Sequence, residues 1–275
     1  MTKNTQWRPT ISPSHCKARA KIIRAIREFF YQRDVTEVET PVLSHYGVTD
    51  PHIVNMTCEY PNPQKTLYLQ TSPEYPMKRL LAAGSGSIYQ ICKAFRDEPI
   101  GPIHSMEFTM LEWYEQGLDL NGLIQQTFDL LKYTHSHFDL HGKKIDFPRN
   151  FEKFTVKEAF SEFAHIDLID KDEDLALKGK KVGVLSVGKD DDFETSFFKI
   201  LLEKVEPHLS KIPIVALYDF PPSQAALAKT ENQVAKRFEF YAWGVEICNG
   251  FDELVDAREN KKRLIESQRL RKKTE

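Results

Sequence analysis

Apolar residues recur at helical spacing from Lys17 to Phe30. Ile22, Ile23, Ile26, Phe29 and Phe30 fall on one side of a 3.6-residue turn, so an amphipathic helix is expected there. The period then changes. "VTEVETPVL" (35–43) is rich in β-branched residues and reads as a strand, with Pro41 marking an edge or an interface. "TLYLQTSPEYPMKRLLAAG" (66–84) reads as a strand, a Ser-Pro turn and a helix that ends at Gly84. "SIYQICKAFRDE" (87–98) and "MEFTMLEWYE" (106–115) read as two antiparallel strands joined by a loop. Leu118 to Tyr133 has a helical pattern, and Thr155 with Glu158 forms a capping box for a helix through Phe163.

Residues 166–210 are polar and charged, with "KDEDLALKGKK" and "GKDDDFE", and are expected to be a solvated insertion. "IPIVALYDF" is then a strand, and "KRFEFYAWGVEIC" a hairpin turning near Trp243-Gly244. A charged helix is expected from about Asp252 to Lys273. Strands and helices mix without a regular βαβ alternation, which favours an α+β fold with a largely antiparallel sheet.

Bulk properties narrow the function classes. The chain has 275 residues and a formal charge of −2, enough for one large core and no electrostatic footprint for nucleic acid. Cys16, Cys58, Cys92 and Cys248 are far apart and form no CxxC pair, so reduced thiols in a cytoplasmic protein are expected. The N-terminus has no apolar segment of a secretion signal, and no apolar run is long enough to span a bilayer. No Gly-rich phosphate loop is present; "AAGSGS" (82–87) reads as a helix cap and turn.

Strand alternation sorts the chemistry. Arg96 and Glu98 project from one face if their strand persists, and Phe108, Met110, Glu112 and Tyr114 share a face of the next. An arginine fork suits phosphate, a phenylalanine face can stack on a purine, and carboxylates with a tyrosine hydroxyl can hold an amine. Two readings are open: a site for a nucleotide beside an amino-bearing substrate, or a partly exposed strand pair with ordinary ion pairs. In the second hairpin, a two-residue turn at Trp243-Gly244 sets Tyr241 opposite Glu246 and Glu239 opposite Cys248. Glu239 and Glu246 are then diagonal neighbours, roughly 7–8 Å apart. They are either a pair that holds Mg²⁺ shared with phosphates, or two solvent-facing glutamates. Asn249 and Glu253 follow, and His104 lies in the loop of the first hairpin.

Taken in order, these stretches resemble the class II aminoacyl-tRNA synthetases, and specifically the lysyl branch. "VTEVETPVL" is similar to the first class II motif, whose proline lies at a dimer interface. "FRDE" with "HSMEFTMLEWYE" is similar to the second, which grips ATP. "RFEFYAWGVEICNGFDEL" and "TSPEYPMKRLL" are similar to the lysine- and magnesium-binding segments of that branch. The similarity runs from Trp7 to Arg269, with residues 166–210 poorly matched. One helix and a short lead precede the first motif, so an anticodon-binding domain is not expected. The chain is therefore most similar to the elongation factor P lysine ligases, as are "GVTDPHIV" and "PPSQAALAK".

The resemblance implies a single class II synthetase-like catalytic domain over 1–275, a mixed, mainly antiparallel sheet flanked by helices. It implies ATP-dependent activation of lysine or (R)-β-lysine and transfer to a lysine of elongation factor P, with ATP and Mg²⁺ as cofactors and a homodimer as the assembly. tRNA is not the expected acceptor. Arg96 is the implied catalytic residue, stabilising charge at the α-phosphate. Asp97, Glu98, His104, Ser105, Phe108, Glu246 and Ile247 join it in holding ATP. Ser72, Pro73, Glu74, Glu112, Tyr114, Asn249 and Glu253 hold the substrate, and Glu239 and Glu246 the metal. Ser105 departs from the family, which usually has asparagine there. The third class II motif, with its ATP-clamping arginine, is not found, so a C-terminally incomplete fold and poor adenylation are expected. Adenylation for another acceptor, or a non-catalytic paralogue that binds a ligand or partner, stay open as alternatives.

Overall fold

A computed structural model describes residues 7–60, 65–137 and 146–274. Its contacts fall into two compact units, residues 1–117, 130–145 and 264–275 in one, and 118–129 and 146–263 in the other.

The first unit opens with helix α1 (Pro13–Tyr31), capped by the Ser12 side chain, which accepts from the His15 amide, and started by Pro13 where no amide partner is needed. Strand β1 (Thr36–Glu37) runs parallel to β5 (Ile88–Phe95), and β5 pairs antiparallel with β6 (Glu107–Tyr114) from Ile88↔Tyr114 to Phe95↔Glu107. A second small sheet has the order β2 (Leu43–Ser44), β4 (Thr66–Leu69), β3 (Thr57–Glu59). Helix α2 (Glu74–Ala82) follows β4 and ends before Gly84, whose φ of 88° only glycine adopts easily.

The strand expected over 35–43 is split. Val38 donates to the Tyr89 carbonyl at 2.8 Å, whereas the Val42 carbonyl accepts from Gln70 at 2.9 Å. The chain therefore leaves one sheet and joins the other around Pro41, which has no amide to give to either.

The β5–β6 pair has two unlike faces. Tyr89, Ile91, Leu111 and Trp113 pack with Phe29, Phe30 and Val35, and with Leu130 and Tyr133 of α3 (Leu120–Ser136). Phe30 stacks on Tyr89 with centroids 4.5 Å apart. The other face carries Gln90, Cys92 and Ala94 on β5, opposite Glu112, Met110 and Phe108 on β6.

In the second unit the sheet order is β11 (Val245–Phe251), β10 (Val234–Ala242), β8 (Ile214–Phe220), β7 (Glu152–Thr155), with β9 (Thr230–Glu231) on β10. The β7–β8 pairing is parallel, and β10 pairs antiparallel with β8, β9 and β11. Trp243 and Gly244 have φ of 48° and 79°, the two positive values of a tight hairpin turn. Both capping-box hydrogen bonds between Thr155 and Glu158 are present; α4 (Val156–Ala159) then widens into a π-helical turn at Phe160–Ala164. The C-terminal helix, α8 (Ala257–Thr274), begins later than expected. Asp256 accepts from the Arg258 and Glu259 amides, while Glu253 is bridged to Ala228 in the sheet region.

Residues 166–210 are not a solvated insertion. Ile166, Leu168, Leu175, Val184, Val187, Phe197, Ile200, Leu201, Val205 and Leu209 are all buried in the core that covers Val215 and Leu217 of β8. Helix α5 (Leu175–Lys181) is short, while α6 (Phe193–Ile200) continues through a π-helical turn, Leu201–Val205, into α7 (Glu206–Leu209), and charged residues lie between their apolar positions. A long window therefore averages to polar although each helix has an apolar side. Phe197 is fully buried and stacks on Phe160 at 5.0 Å. Phe197→Ala is expected to destabilise the fold by about 3–5 kcal/mol, read as a lower denaturation midpoint; a midpoint unchanged from the parent chain would return the segment to the surface.

Candidate active site

In the first unit, Arg96 follows the last residue of β5, and its amide still bonds across to Met106 at 2.9 Å. Its guanidinium lies over the Phe108 ring at 5.3 Å, and Nε is 3.4 Å from the Thr71 carbonyl. That places a planar cation and an aromatic face side by side, next to the Ser72–Glu74 turn. Because β5 ends at Phe95, strand alternation does not extend to Glu98, and the expected shared face of Arg96 and Glu98 is not set by a strand. Asp97 instead anchors its loop by donating to the Val54 carbonyl at 3.0 Å. His104 and Ser105 are exposed in that loop, which reciprocal backbone bonds between Gly101 and His104 close.

Further along the same face, Tyr114 donates to Glu112 Oε1 at 2.7 Å. Gln90, only 2% exposed, is paired opposite Glu112 and accepts from Thr40 at 3.0 Å. Burial pushes the Cys92 thiol up to about 11, with Glu112 adding to the shift and hydrogen bonds from Gln90 and Gln70 opposing it. Glu74, in the first turn of α2, is held by Lys78 at 2.7 Å, and Ser72 Oγ accepts from the Glu74 amide at 3.4 Å. Pro73 is the residue that starts that helix.

In the second unit the register differs from the expected one. Tyr241 is opposite Glu246, as expected, but Glu239 is opposite Asn249 and Phe240 opposite Cys248. The shift lies between Phe240 and Tyr241 and leaves Ile247 as an extra residue on β11. Such a bulge is invisible to simple counting from the turn. It sets Asn249, like Glu246, on the face of Glu239, which counting had denied it.

Glu239 is 4% exposed, and both of its oxygens are engaged. Arg237 Nη2 donates to Oε1 at 2.5 Å and Tyr241 Oη donates to Oε2 at 2.8 Å. Glu206 of α7 lies 3.4 Å beyond the same phenol. Burial, then Glu239, Glu206 and Glu246, hold the Tyr241 phenol well above its ordinary value; burial and Glu239 raise Glu206. Glu239, Glu206 and Glu246 thus all act on the one phenol, and Arg237 pairs with Glu239. Glu246, Ile247 and Asn249 are exposed on β11. Among the described residues no group of three or more metal-ligating side chains occurs. The donor set fits a hard cation that takes one or two protein carboxylates and completes its shell with water and phosphate oxygens. Each carboxylate oxygen has a second lone pair beyond the one its donor uses.

Arg237, which pairs with Glu239, is not singled out by the sequence reading. The signal was present: Arg237, Glu239 and Tyr241 follow one another at strand spacing in "RFEFY". Gln90 and Cys92 were missed likewise, on the face already assigned to Glu112.

A family profile described as tRNA synthetases class II (D, K and N) matches residues 5–275. The chain is 42% identical over 275 residues to the elongation factor P–(R)-β-lysine ligase of Avibacterium paragallinarum, covering 98% of this chain and 82% of that one. It is 42% identical over 278 residues to the enzyme of the same description from Histophilus somni (98% and 83%), and 40% identical over 282 residues to that from Haemophilus influenzae strain PittGG (100% and 84%).

The raised Cys92 thiol has a measurable consequence. At pH 8.5 iodoacetamide is expected to label the exposed Cys16 well before Cys92, whose rate climbs until the pH reaches about 11. Glu112→Gln removes one of the two effects that raise the thiol and is expected to speed Cys92 labelling at pH 8.5. Peptide mapping that finds no change in rate would mean that Glu112 does not act on the thiol.

Proposed function

The chain belongs to the class II tRNA synthetases (D, K and N), a family of ligases, and on that premise we propose that it activates lysine or (R)-β-lysine with ATP and passes it to a lysine of elongation factor P. One observation carries the reading. The Arg96–Phe108 pair and the Glu112–Tyr114 pair occupy the same side of the β5–β6 hairpin. Phosphate and purine chemistry at one end and amine chemistry at the other are four residues apart along β6, about 13 Å. That suits an extended aminoacyl nucleotide.

The substrate carboxylate attacks the α-phosphorus of ATP, a P–O bond forms, and pyrophosphate leaves. The acceptor amine then attacks the activated carbonyl and AMP leaves. No side-chain nucleophile is needed, so the protein contributes position and charge. Arg96 stabilises charge on the α-phosphate, Phe108 stacks on the purine, and Glu98 takes its amino group. His104 approaches the phosphates, with Asp97, Ser105 and Ile247 around the nucleotide. Ser72, Pro73, Glu74, Glu112, Tyr114, Asn249 and Glu253 hold the amino acid. Glu239 and Glu246 hold Mg²⁺, which neutralises phosphate charge when bound. A cytoplasmic setting accords with this acceptor and with four unpaired cysteines.

We assign a homodimer contact to the segment around Pro41, where Val42, Leu43 and Tyr46 are exposed, Tyr46 by 81%. Sedimentation equilibrium at micromolar concentration is expected to give a dimer, and Leu43→Glu to shift it toward monomer. A monomeric parent chain would rule the contact out.

Pyrophosphate exchange with α-lysine and with (R)-β-lysine tests the activity. Exchange with neither would leave binding without chemistry. For the amine, Glu253 supplies the sharper test. Removing one member of a buried ion pair costs about 3–5 kcal/mol, and about 1.4 kcal/mol is a factor of ten. Glu253→Gln is therefore expected to weaken lysine binding a hundredfold or more by calorimetry; unchanged affinity would remove Glu253 from the substrate site.

A further inference from the structure

Glu239, one of the candidate ligands, is held by Arg237 at Oε1 and by Tyr241 at Oε2. All three residues lie at alternate positions of β10, so all three side chains leave the same face. The clamp is itself anchored. Arg237 Nη1 donates to the Gln224 carbonyl at 3.1 Å, and its guanidinium lies over the Phe220 ring at 4.4 Å. Tyr241 is 2% exposed and cannot turn its hydroxyl to solvent. Its one proton has two carboxylates within reach, and the shorter contact, 2.8 Å against 3.4 Å, gives it to Glu239 rather than to Glu206. With a donor from each side, the Glu239 carboxylate plane is fixed, and one lone pair on each oxygen remains.

We propose that Arg237 and Tyr241 are positioning residues that preset the Glu239 carboxylate for a divalent cation arriving with a polyphosphate. The inference rests on Glu239 being a metal ligand, as assigned above. Two consequences follow from the geometry. The carboxylate is partly neutralised by Arg237, so free metal gains little there, whereas a cation already attached to phosphates meets an oriented ligand. Loss of either donor lets the carboxylate rotate and should act on the metal-dependent part of nucleotide binding alone. Hydrogen-bonding partners of metal ligands are typically worth about 10–100-fold in affinity.

The test measures binding of a non-hydrolysable ATP analogue to the full chain by calorimetry, once with Mg²⁺ and once with a chelator. The ratio of the two affinities isolates the metal's contribution. Tyr241→Phe keeps the ring and removes only the hydroxyl; it is expected to cut the ratio by about 10–100-fold, with affinity in chelator within twofold of the parent. Arg237→Lys keeps the charge but not the planar fork and is expected to cut the ratio at least tenfold. It also keeps the inference open to refutation should the phenylalanine variant not fold. Either folded variant retaining the parent ratio within twofold would overturn the proposal. Glu239→Gln separates the two levels. If it abolishes the Mg²⁺ enhancement while Tyr241→Phe and Arg237→Lys do not, the ligand assignment stands and the positioning role fails. If Glu239→Gln leaves the enhancement intact, the assignment of Glu239 to the metal fails first.

Discussion

The contact of Phe30 with Tyr89 decides which side of the β5–β6 hairpin is available for chemistry. Side chains on a strand alternate, so sealing one face with Phe29, Phe30, Tyr89 and Trp113 sends every intervening residue to the other. The sealed face is aromatic and aliphatic, and its packing fixes the strands. The opposite face can then carry a guanidinium, amides, a thiol, a carboxylate and a phenol without being the thing that holds the strands together. The polar residues at Gln90 and Glu112 are held by pairs such as Thr40 to Gln90 and Tyr114 to Glu112, and a polar group taken from water is tolerable only when paired.

The second hairpin meets the same constraint differently. Here helices from 166–210 cover Val215 and Leu217 of β8 and Tyr241 of β10, and Glu239, paired opposite Leu217, is almost entirely buried. A carboxylate in that position needs donors within the fold, and Arg237 and Tyr241 supply one to each oxygen. The bulge at Ile247 then settles what the carboxylate faces on β11. An extra residue exchanges Cys248 for Asn249 as the partner of Glu239, putting an amide where simple pairing puts a thiol. Local backbone irregularity and side-chain chemistry are coupled here within a few residues.

The sequence alone carried both hairpins, the Trp243-Gly244 turn, the capping box at Thr155 and the order of motifs that marks the family, because each depends on near neighbours. A β-strand pair advertises itself by alternation, a tight turn by glycine and a helix start by a side chain three residues from its partner. At the candidate site, the face shared by Phe108, Glu112 and Tyr114 and the opposition of Tyr241 to Glu246 were legible for the same reason, since alternation and a two-residue turn set them.

Tertiary structure alone decided the rest. Whether 166–210 is surface or core depends on β8 lying beneath it, since helices whose apolar residues are interspersed with charge have no strong average polarity to read. The split at Pro41 depends on two sheets competing for one segment. The Ile247 bulge depends on how β11 pairs with β10, a strand that carries an irregular register with both neighbours. The donors to Glu239 depend on its burial, which no local pattern states. Sequence determines which residues can share a face; only packing determines which face is closed, and so which charges must find partners inside the protein.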